Sequence, residues 1–498
     1  MSVVRTGLMT VCAAIALAGC STMPSRHATA PALPAGWEDM ELKADPASLV
    51  DWWKGFGDAS LDRFVAEGLA EGPSVKLAAL RLKEARALGS QTFSDYLPQF
   101  TGTARGSYTQ AVDGPDLTGS FQSFVNGGGT VVREGEQFIG SYGPQVSWEI
   151  PLFGRIEAAA IGGKANVRAS EQDLRGARAA LAADIAQAYV DYRAGQQRVA
   201  ALREGAALAD QLAGIVQIGA DAGFNAPADA ADARRLAEST RARTPDAVIA
   251  ARRSAAMLAT LRGRAPGTEA DDVRALLTAK ADVPSYALTT VPAAPADLLR
   301  LRPDVAQAEA KTLVAAATLG AARQDLLPHI SLTGGLDFTD NIIGSGVPER
   351  LAQFSASPVV SIPLFDWGKR FGGSRVRNAQ FEQSLVNYKA TVNNAVSEAS
   401  LALVSLSEGE ARLTAARNAE TAAESTAKGV RASYSAGIAS LSDRIRAEQQ
   451  LLDARVTRIS AEQSQASAAI QVYRAFGGGP PTLTGRALKD EIRGASKG

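Results

Sequence analysis

The chain reads Ile150-Pro151-Leu152-Phe153-Gly154-Arg155 and, in its second half, Ile362-Pro363-Leu364-Phe365-Asp366-Trp367-Gly368-Lys369, the same block with two residues inserted before the glycine. Each copy closes a run in which apolar and polar residues alternate. Each then opens a long, proline-free, Ala-rich run with a helical period. Strict alternation is the signature of a half-buried strand, and apolar residues three and four apart are that of an amphipathic helix. A strand therefore passes into a long helix twice in one chain. Proline has no N–H to give a ladder, so Pro151 and Pro363 end the strands. Gly154 and Gly368 permit the sharp redirection that follows.

Working outward from the first block, Phe100 to Tyr108 carries Phe, Gly, Ala, Gly and Tyr at even positions against Thr, Thr, Arg and Ser at odd ones. Phe138 to Ile150 resumes the alternation after a Gly-rich polar segment from Asp113 to Gln137. Before the second block, Ile330 to Thr339 and Phe354 to Ile362 alternate across a shorter loop holding Gly344 and Gly346. Four strands of about ten residues, each with one apolar and one polar face, fit the strands of a transmembrane β-barrel. A soluble half-buried sheet gives the same alternation. Pro144 and Pro358 fall inside these strands and are expected near strand ends or bulges. Four strands cannot close a barrel, because the smallest membrane barrels use about eight. An open edge in lipid would leave backbone groups unsatisfied at several kcal/mol each. Strands that span must therefore oligomerise, and three copies supply about twelve of them.

The helical runs are matched in length: 69 residues separate Gly154 from Gly223, and 69 separate Gly368 from Gly437. A continuous helix of that length is roughly 100 Å long. Phe381, Leu385, Tyr388, Val392 and Val396 on the second arm fall at coiled-coil spacings, as do Leu441, Ile445, Leu452, Val456 and Ile459 on the run that returns from it. The return helices, about Ala228 to Leu261 and Ser440 to Phe476, are about half as long as the arms. The rest of each column is expected from Ser74 to Tyr96, with Val75, Leu77, Leu80, Leu82 and Leu88 as apolar positions, and from Arg302 to Leu327. A short helix from about Leu61 to Glu71 precedes the first of these. Between the repeats, Ala265 to Pro295 is mixed and Pro-bearing, with a short helix expected at Asp271 to Lys280. That linker and the two chain ends are expected to form a belt around the middle of the arms. A coiled-coil stalk without a channel explains the helices but leaves the strands unexplained.

Composition narrows the function. The 498 residues hold 52 basic and 52 acidic side chains, which gives no electrostatic case for nucleic acid. Hydrophobic content is 46% while aromatics are only 6%, which suits closely packed helices. Arg5, the apolar run Gly7 to Ala16 and Leu17-Ala18-Gly19-Cys20 read as an export signal. The quartet resembles the bacterial lipobox, which implies cleavage before Cys20 and a covalent lipid on it; a plain signal peptide with a chance cysteine is the alternative. Ser21 is not the aspartate that retains such lipoproteins at the inner membrane, so delivery to the outer membrane is implied. Cys12 leaves with the signal, and no disulfide can form within the mature chain. Ser21 to Pro34 reads as an extended tether. No later window has the ~18 or more apolar residues of a spanning helix. His27 and His329, the only histidines, have no plausible partners in sequence, and neither a phosphate loop nor metal-ligand spacing is present. An anchored enzyme therefore has no visible machinery, and no cofactor is expected beyond the lipid on Cys20.

These features together resemble the outer membrane factor family, the TolC and OprM-like channels, in particular its NodT-like lipoprotein branch. The resemblance rests on the lipobox, Trp52-Trp53 with Phe56 and Asp58, the helix ends Leu97-Pro98 and Leu327-Pro328, and both Ile-Pro-Leu-Phe blocks. It also rests on Asp297-Leu298-Leu299-Arg300-Leu301-Arg302-Pro303-Asp304-Val305 with Glu309, and on Phe476 before Gly477-Gly478-Gly479. It implies a mixed α and β membrane protein, a TolC-like homotrimer with a 12-stranded β-barrel continuous with a long α-helical periplasmic barrel. Residues 1–19 are then the signal, 20–57 tether and belt, 58–262 the first repeat, 263–295 an equatorial linker, 296–476 the second repeat and 477–498 a tail. The implied function is passive export in a tripartite efflux system, with a periplasmic adaptor and an inner-membrane RND-type pump as partners and outer-membrane lipid around the strands. Protein secretion through a type I system, or a structural coiled-coil lipoprotein, are the alternatives. The helix tips, Asp221 to Asp229 and Tyr434 to Asp443, are where such channels close. Asp229 and Asp443 both lie six residues beyond the tip glycines Gly223 and Gly437. The resemblance makes Asp443, Asp229 and Tyr434 gate candidates, with Arg446 standing where a second carboxylate is usual and Ala439 where an arginine is. Aspartates near a helix start also serve simply as caps.

Overall fold

A computed structural model of the chain describes residues 31–34, 36, 49–110, 136–267, 279, 282–286, 295–343 and 351–480. Cys20, most of the tether, the Gly-rich segment through residue 135, the loop with Gly344 and Gly346, and, apart from residue 279, the short helix expected at Asp271 to Lys280 lie outside the described residues. The helices are α1 (Ala59–Glu71), α2 (Pro73–Ser94), α3 (Arg155–Asp221), α4 (Pro227–Leu261), α5 (Leu298–Leu301), α6 (Pro303–Gln324), α7 (Lys369–Ser435) and α8 (Leu441–Ala475). The strands are β1 (Gln99–Gln110), β2 (Glu136–Ile150), β3 (His329–Ile343) and β4 (Leu351–Ser361).

The internal repeat is exact in helix length. α2 and α6 each have 22 residues, α3 and α7 each have 67, and α4 and α8 each have 35. The chain's contacts nevertheless divide it into two compact units that cut across the repeats, because each unit takes parts of both. One holds residues 86–165 and 313–382, and the other holds residues 28–85, 166–312 and 383–498.

The first unit contains one four-stranded antiparallel sheet in the order β1-β2-β3-β4. Its register puts like residues on like faces. Ala104, Tyr142, Phe338 and Ala352 stand opposite one another in turn, and Thr101, Gln145, Gly335 and Ser355 do the same on the other face. The Tyr142 and Phe338 rings stack at 5.6 Å. Trp148 Nε1 donates to the Tyr96 carbonyl at 3.0 Å. Phe100 and Phe354 on the apolar face are exposed.

Pro144 departs from expectation. It lies well inside β2, paired with Gly102 of β1, and the register shift of β2 against β3 falls at Phe138/Ile139 instead. The sheet absorbs the missing donor by leaving Gly143 and Pro144 out of the β2–β3 ladder, which resumes in the same register at Gln145 and Gly335. The backbones come close there: a Cβ on Gly143 would stand 1.8 Å from the Leu336 carbonyl oxygen. Pro358 sits opposite Leu332 in a β3–β4 ladder that runs unbroken through it.

The strand-to-helix junctions differ from expectation in detail. Gly154 and Gly368 both adopt φ +81, but the residue before each is also left-handed, Phe153 at φ 57 and Trp367 at φ 56. Trp367, not Phe365, is thus the counterpart of Phe153. The insertion in the second block lies between its proline and this left-handed pair. Asp366 then caps the new helix, accepting from the Gly368 and Arg370 backbone N–H groups at 3.1 Å.

The second unit has the main core. Trp52, Trp53 and Phe56, in a 3₁₀ turn, pack with Leu61, Phe64 and Val65 of α1. Trp52 stacks on Tyr473 of α8 at 5.1 Å. Asp58 caps α1, accepting from the Ser60 and Leu61 backbone N–H groups, and also accepts from the Tyr189 hydroxyl at 2.7 Å. Burial and then that bond push the Tyr189 phenol up to about 12. Elsewhere the core is built largely of alanine, as in Ala182, Ala186, Ala399 and Ala469, so helix backbones can approach closely. On α2 the buried stripe is Val75, Ala78, Ala79, Leu82 and Ala85. Val75 and Leu82 of the expected apolar face are thus buried, while Leu77, Leu80 and Leu88 are exposed, because alanines complete the packed stripe.

Candidate functional site

The two hairpin tips are built alike. α3 ends and Gly223, at φ +80, donates to the Ala220 carbonyl at 3.0 Å while Phe224 N–H donates to Gly219 at 2.7 Å. α7 ends with Gly437 at φ +73 donating to Tyr434 at 3.0 Å and Ile438 to Ser433 at 2.8 Å. A left-handed glycine closing the last carbonyls of a helix is the standard end for such a turn. The residue after each glycine is large, apolar and outward: Phe224 is 87% exposed and Ile438 82%. Sequence reasoning missed these two. Their position directly after the tip glycines was the signal available.

Beneath the turns, Leu212, Val216, Ala233 and Leu236 of the first hairpin pack with Leu441 and Ile445 of the second, and Tyr434 lies partly buried against them. The Arg444 guanidinium sits 5.0 Å from the Tyr434 ring centre, a cation–π contact.

The aspartates occupy the same helical position but different chemistry. Asp443 forms a reciprocal capping box with Ser440: Asp443 N–H donates to Ser440 Oγ at 3.1 Å, and Ser440 N–H donates to Asp443 Oδ2 at 3.3 Å. The Ser440 side-chain and backbone hydrogen bonds, with Arg446 adding its charge, hold the Asp443 carboxyl below the usual range. Arg446 Nη1 lies 3.4 Å from Asp443 Oδ1, so the basic residue at the unusual position is a neighbour of the gate candidate. Asp229 has no such box, because the cap of α4 is Ala226, with no side-chain acceptor, followed by Pro227. It stands in the first helical turn, where a negative charge favours the helix dipole.

The hairpins are joined side to side by charged pairs. Arg243 of α4 meets Asp453 of α8 at 2.8 Å, and Arg455 of α8 meets Glu204 of α3 at 3.1 Å. A cleft of about 520 Å³ between them is lined by Glu204, Arg243, Glu424, Arg444 and Glu448, among others. Exposed pairs of this kind stabilise by about 0–1 kcal/mol each. The hairpins are therefore joined by apolar packing beneath the tips, to which these screened pairs add little.

Residues 65–264 and 294–478 match the family described as outer membrane efflux protein. The chain belongs to that family. Over 480 residues it is 25% identical to the cation efflux system protein CusC of Escherichia coli, covering 95% of this chain and 98% of CusC. It is 26% identical to nodulation protein T of Rhizobium leguminosarum bv. viciae, across 89% of this chain and 87% of that one. The crystal structure of the Campylobacter jejuni CmeC outer membrane channel aligns with a TM-score of 0.80 at 23% identity, covering 96% of this chain and 98% of CmeC. The fold is accordingly TolC-like, mostly helical with four strands per chain. In this outer membrane efflux protein Pro151 follows the last residue of β2, Pro363 follows β4 by one residue, and Gly154 and Gly368 immediately precede α3 and α7.

Proposed function

We propose that the chain is the passive exit duct of a tripartite efflux system. Three copies join their sheets edge to edge into a twelve-stranded outer-membrane barrel, with the helices reaching into the periplasm and Cys20 carrying a lipid anchor. The observation that carries this reading is a four-stranded sheet with one apolar face whose outer strands, β1 and β4, have no neighbour on one side among the described residues. In lipid such edges must be paired, and the pairing partner available to a closed ring is another copy.

A periplasmic adaptor would dock and an inner-membrane RND-type pump would supply the energy, so the duct itself performs no chemistry. Small molecules are the cargo we favour; CusC is named for cation efflux, but this chain has only 2 histidines and 5 methionines. Asp443, Asp229, Tyr434 and Arg446 set the periplasmic constriction, because three copies bring six tips together and the exposed carboxylates concentrate there.

The test is purification from outer membranes in mild detergent followed by planar-bilayer recording. SDS-resistant trimers with a cation-preferring conductance are expected. A monomer without conductance would overturn the reading in favour of a structural lipoprotein.

A further inference from the structure

The sheet unit contains one complete strand-to-helix junction and the separated halves of another. In the complete one, the turn between α6 and β3 seats on the junction between β2 and α3. Gln324, 2% exposed, donates from Nε2 to the Phe153 carbonyl at 3.0 Å. Arg155 bridges Glu149 and Asp325. His329 Nδ1 lies 3.3 Å from Glu149. Phe153 and Leu152 are half-buried as a result.

The other junction, between β4 and α7, is bare. Leu364 and Trp367 are each 91% exposed, with Phe365 and Phe371 also exposed beside them. The turn between α2 and β1, at the opposite edge of the sheet, is uncovered to a lesser degree: Phe93, Asp95, Leu97 and Phe100 are exposed, Phe93 and Leu97 by about half.

These two halves are the repeat counterparts of the complete junction. α2 and α6 have the same length and are followed by the same turn. Asp95 N–H donates to Gln91 as Asp325 N–H does to Ala321, and Leu97 N–H to Ser94 as Leu327 N–H does to Gln324. Trp367 matches Phe153 in its left-handed conformation, and Lys369 follows Gly368 as Arg155 follows Gly154. The anionic and cationic partners of the internal ion pair, Asp325 and Arg155, thus recur as Asp95 on one edge and Lys369 on the other.

Resting on the trimer reading above, we infer that the α2–β1 turn of a second copy seats on the bare β4–α7 junction, with Lys369 paired to Asp95 of the next copy and the Leu364, Phe365, Trp367 and Phe371 side chains covered by Phe93 and Leu97 of that copy. The contact is head-to-tail, of the kind that closes into a ring. It also fixes a register. Glu149 stands opposite Ser331 within the chain, so Ser361 stands opposite Thr101 of the next copy, which puts their Cα atoms within disulfide reach.

The experiment uses the full-length chain in outer membranes. Ser361→Cys with Thr101→Cys is compared after mild oxidation with Ser361→Cys and Thr103→Cys, two residues out of register. In parallel, Lys369→Asp and Asp95→Lys are made singly and together. The expected results are trimer-sized cross-linking for the first pair only, about tenfold fewer SDS-resistant trimers for each single reversal, and recovery in the double reversal. Trimers that cross-link only out of register or not at all, with no recovery in the double reversal, overturn this interface and leave the trimer standing, with the aromatic rim against lipid. A chain that is monomeric throughout overturns the trimer reading and the interface with it.

Discussion

The Arg431 guanidinium grips the Glu448 carboxylate across the second hairpin with two parallel contacts, Nε to Oε1 at 2.5 Å and Nη2 to Oε2 at 2.9 Å. In the first hairpin the same two positions relative to the tip glycine are held by Gln217 and Arg234, whose Nη2 donates to Gln217 Oε1 at 2.6 Å. The tie is kept while its polarity is reversed. Arg431 is 44% exposed, so Glu448→Ala is expected to cost no more than about 1 kcal/mol globally. Amide hydrogen exchange should instead quicken locally around residues 430–441. A large fall in melting temperature without a local change in exchange would contradict this.

Gly143 is more tightly enclosed than Gly102, Gly334 or Gly335 of the same sheet, since its Cβ would overlap the Leu336 carbonyl. Gly143→Ala should separate β2 from β3 and remove heat-resistant assemblies from the outer membrane. Gly102→Ala, where nothing lies within 4 Å, should leave their yield unchanged. Comparing the two on an unheated gel checks the claim.

Arg262 is fully buried, its guanidinium over the Phe64 ring at 4.6 Å and Nη1 2.8 Å from Glu67. Removing it should cost about 1.5–3 kcal/mol, because a partly buried carboxylate keeps Arg63 but loses its other cation. Burial pushes the Glu67 carboxyl up, but hydrogen bonds from Arg63 and Arg262 outweigh it and leave the group below its ordinary 4.5. A lowered folded value means that Glu67 contributes its stability above the unfolded value, and that this is lost as pH falls through the folded one. Glu67→Gln should therefore flatten the acid limb of a stability–pH curve below about pH 4.5 and lower stability at neutral pH. An unchanged acid limb would contradict the assignment.

At the tip, capping and gating can be separated. Ser440→Ala breaks the box but keeps the carboxylate, and should cost about 0.5–2 kcal/mol of local helix stability. Asp443→Ala removes the charge as well, and only this variant should raise single-channel conductance. Equal conductance in the two variants and the parent would remove Asp443 from the gate.

The matched 67-residue arms predict that one added heptad in α3 alone impairs assembly, and that the same insertion in both α3 and α7 restores much of it. Trimer yield across the three variants reads this directly. Full assembly from the single insertion would show that the arms need no common length.

Much of this fold was legible because its signals are periodic. Alternation placed all four strands to within four residues at each end, and the tip and junction glycines marked where the arms begin and end. What sequence could not show depended on neighbours. Pro144 was expected at an end or bulge because a ladder without its donor is costly, yet the β2–β3 pairing simply skips it. Of the apolar positions expected on α2, Val75 and Leu82 are buried, but Leu77, Leu80 and Leu88 are not, because size dominates a reading of hydropathy whereas close packing favours Ala78, Ala79 and Ala85. The left-handed Phe153 and Trp367 were invisible, since nothing about either side chain calls for that conformation. At the tips both aspartates fall in the first turn of a return helix, but the box around Asp443 and its absence at Asp229 turn on Ser440 against Ala226.

The head of α3, with Arg155, meets Asp325 inside one chain, while Lys369 and Asp95 hold the equivalent places at opposite edges. An ancestor with a single unit would have had one junction repeated at every seam, so any substitution would have struck all seams together. Two linked units release that constraint. The Arg155 seam and the Lys369 seam are then free to diverge, one keeping a planar guanidinium beside Phe153 and the other a compact ammonium beside the bulkier Trp367.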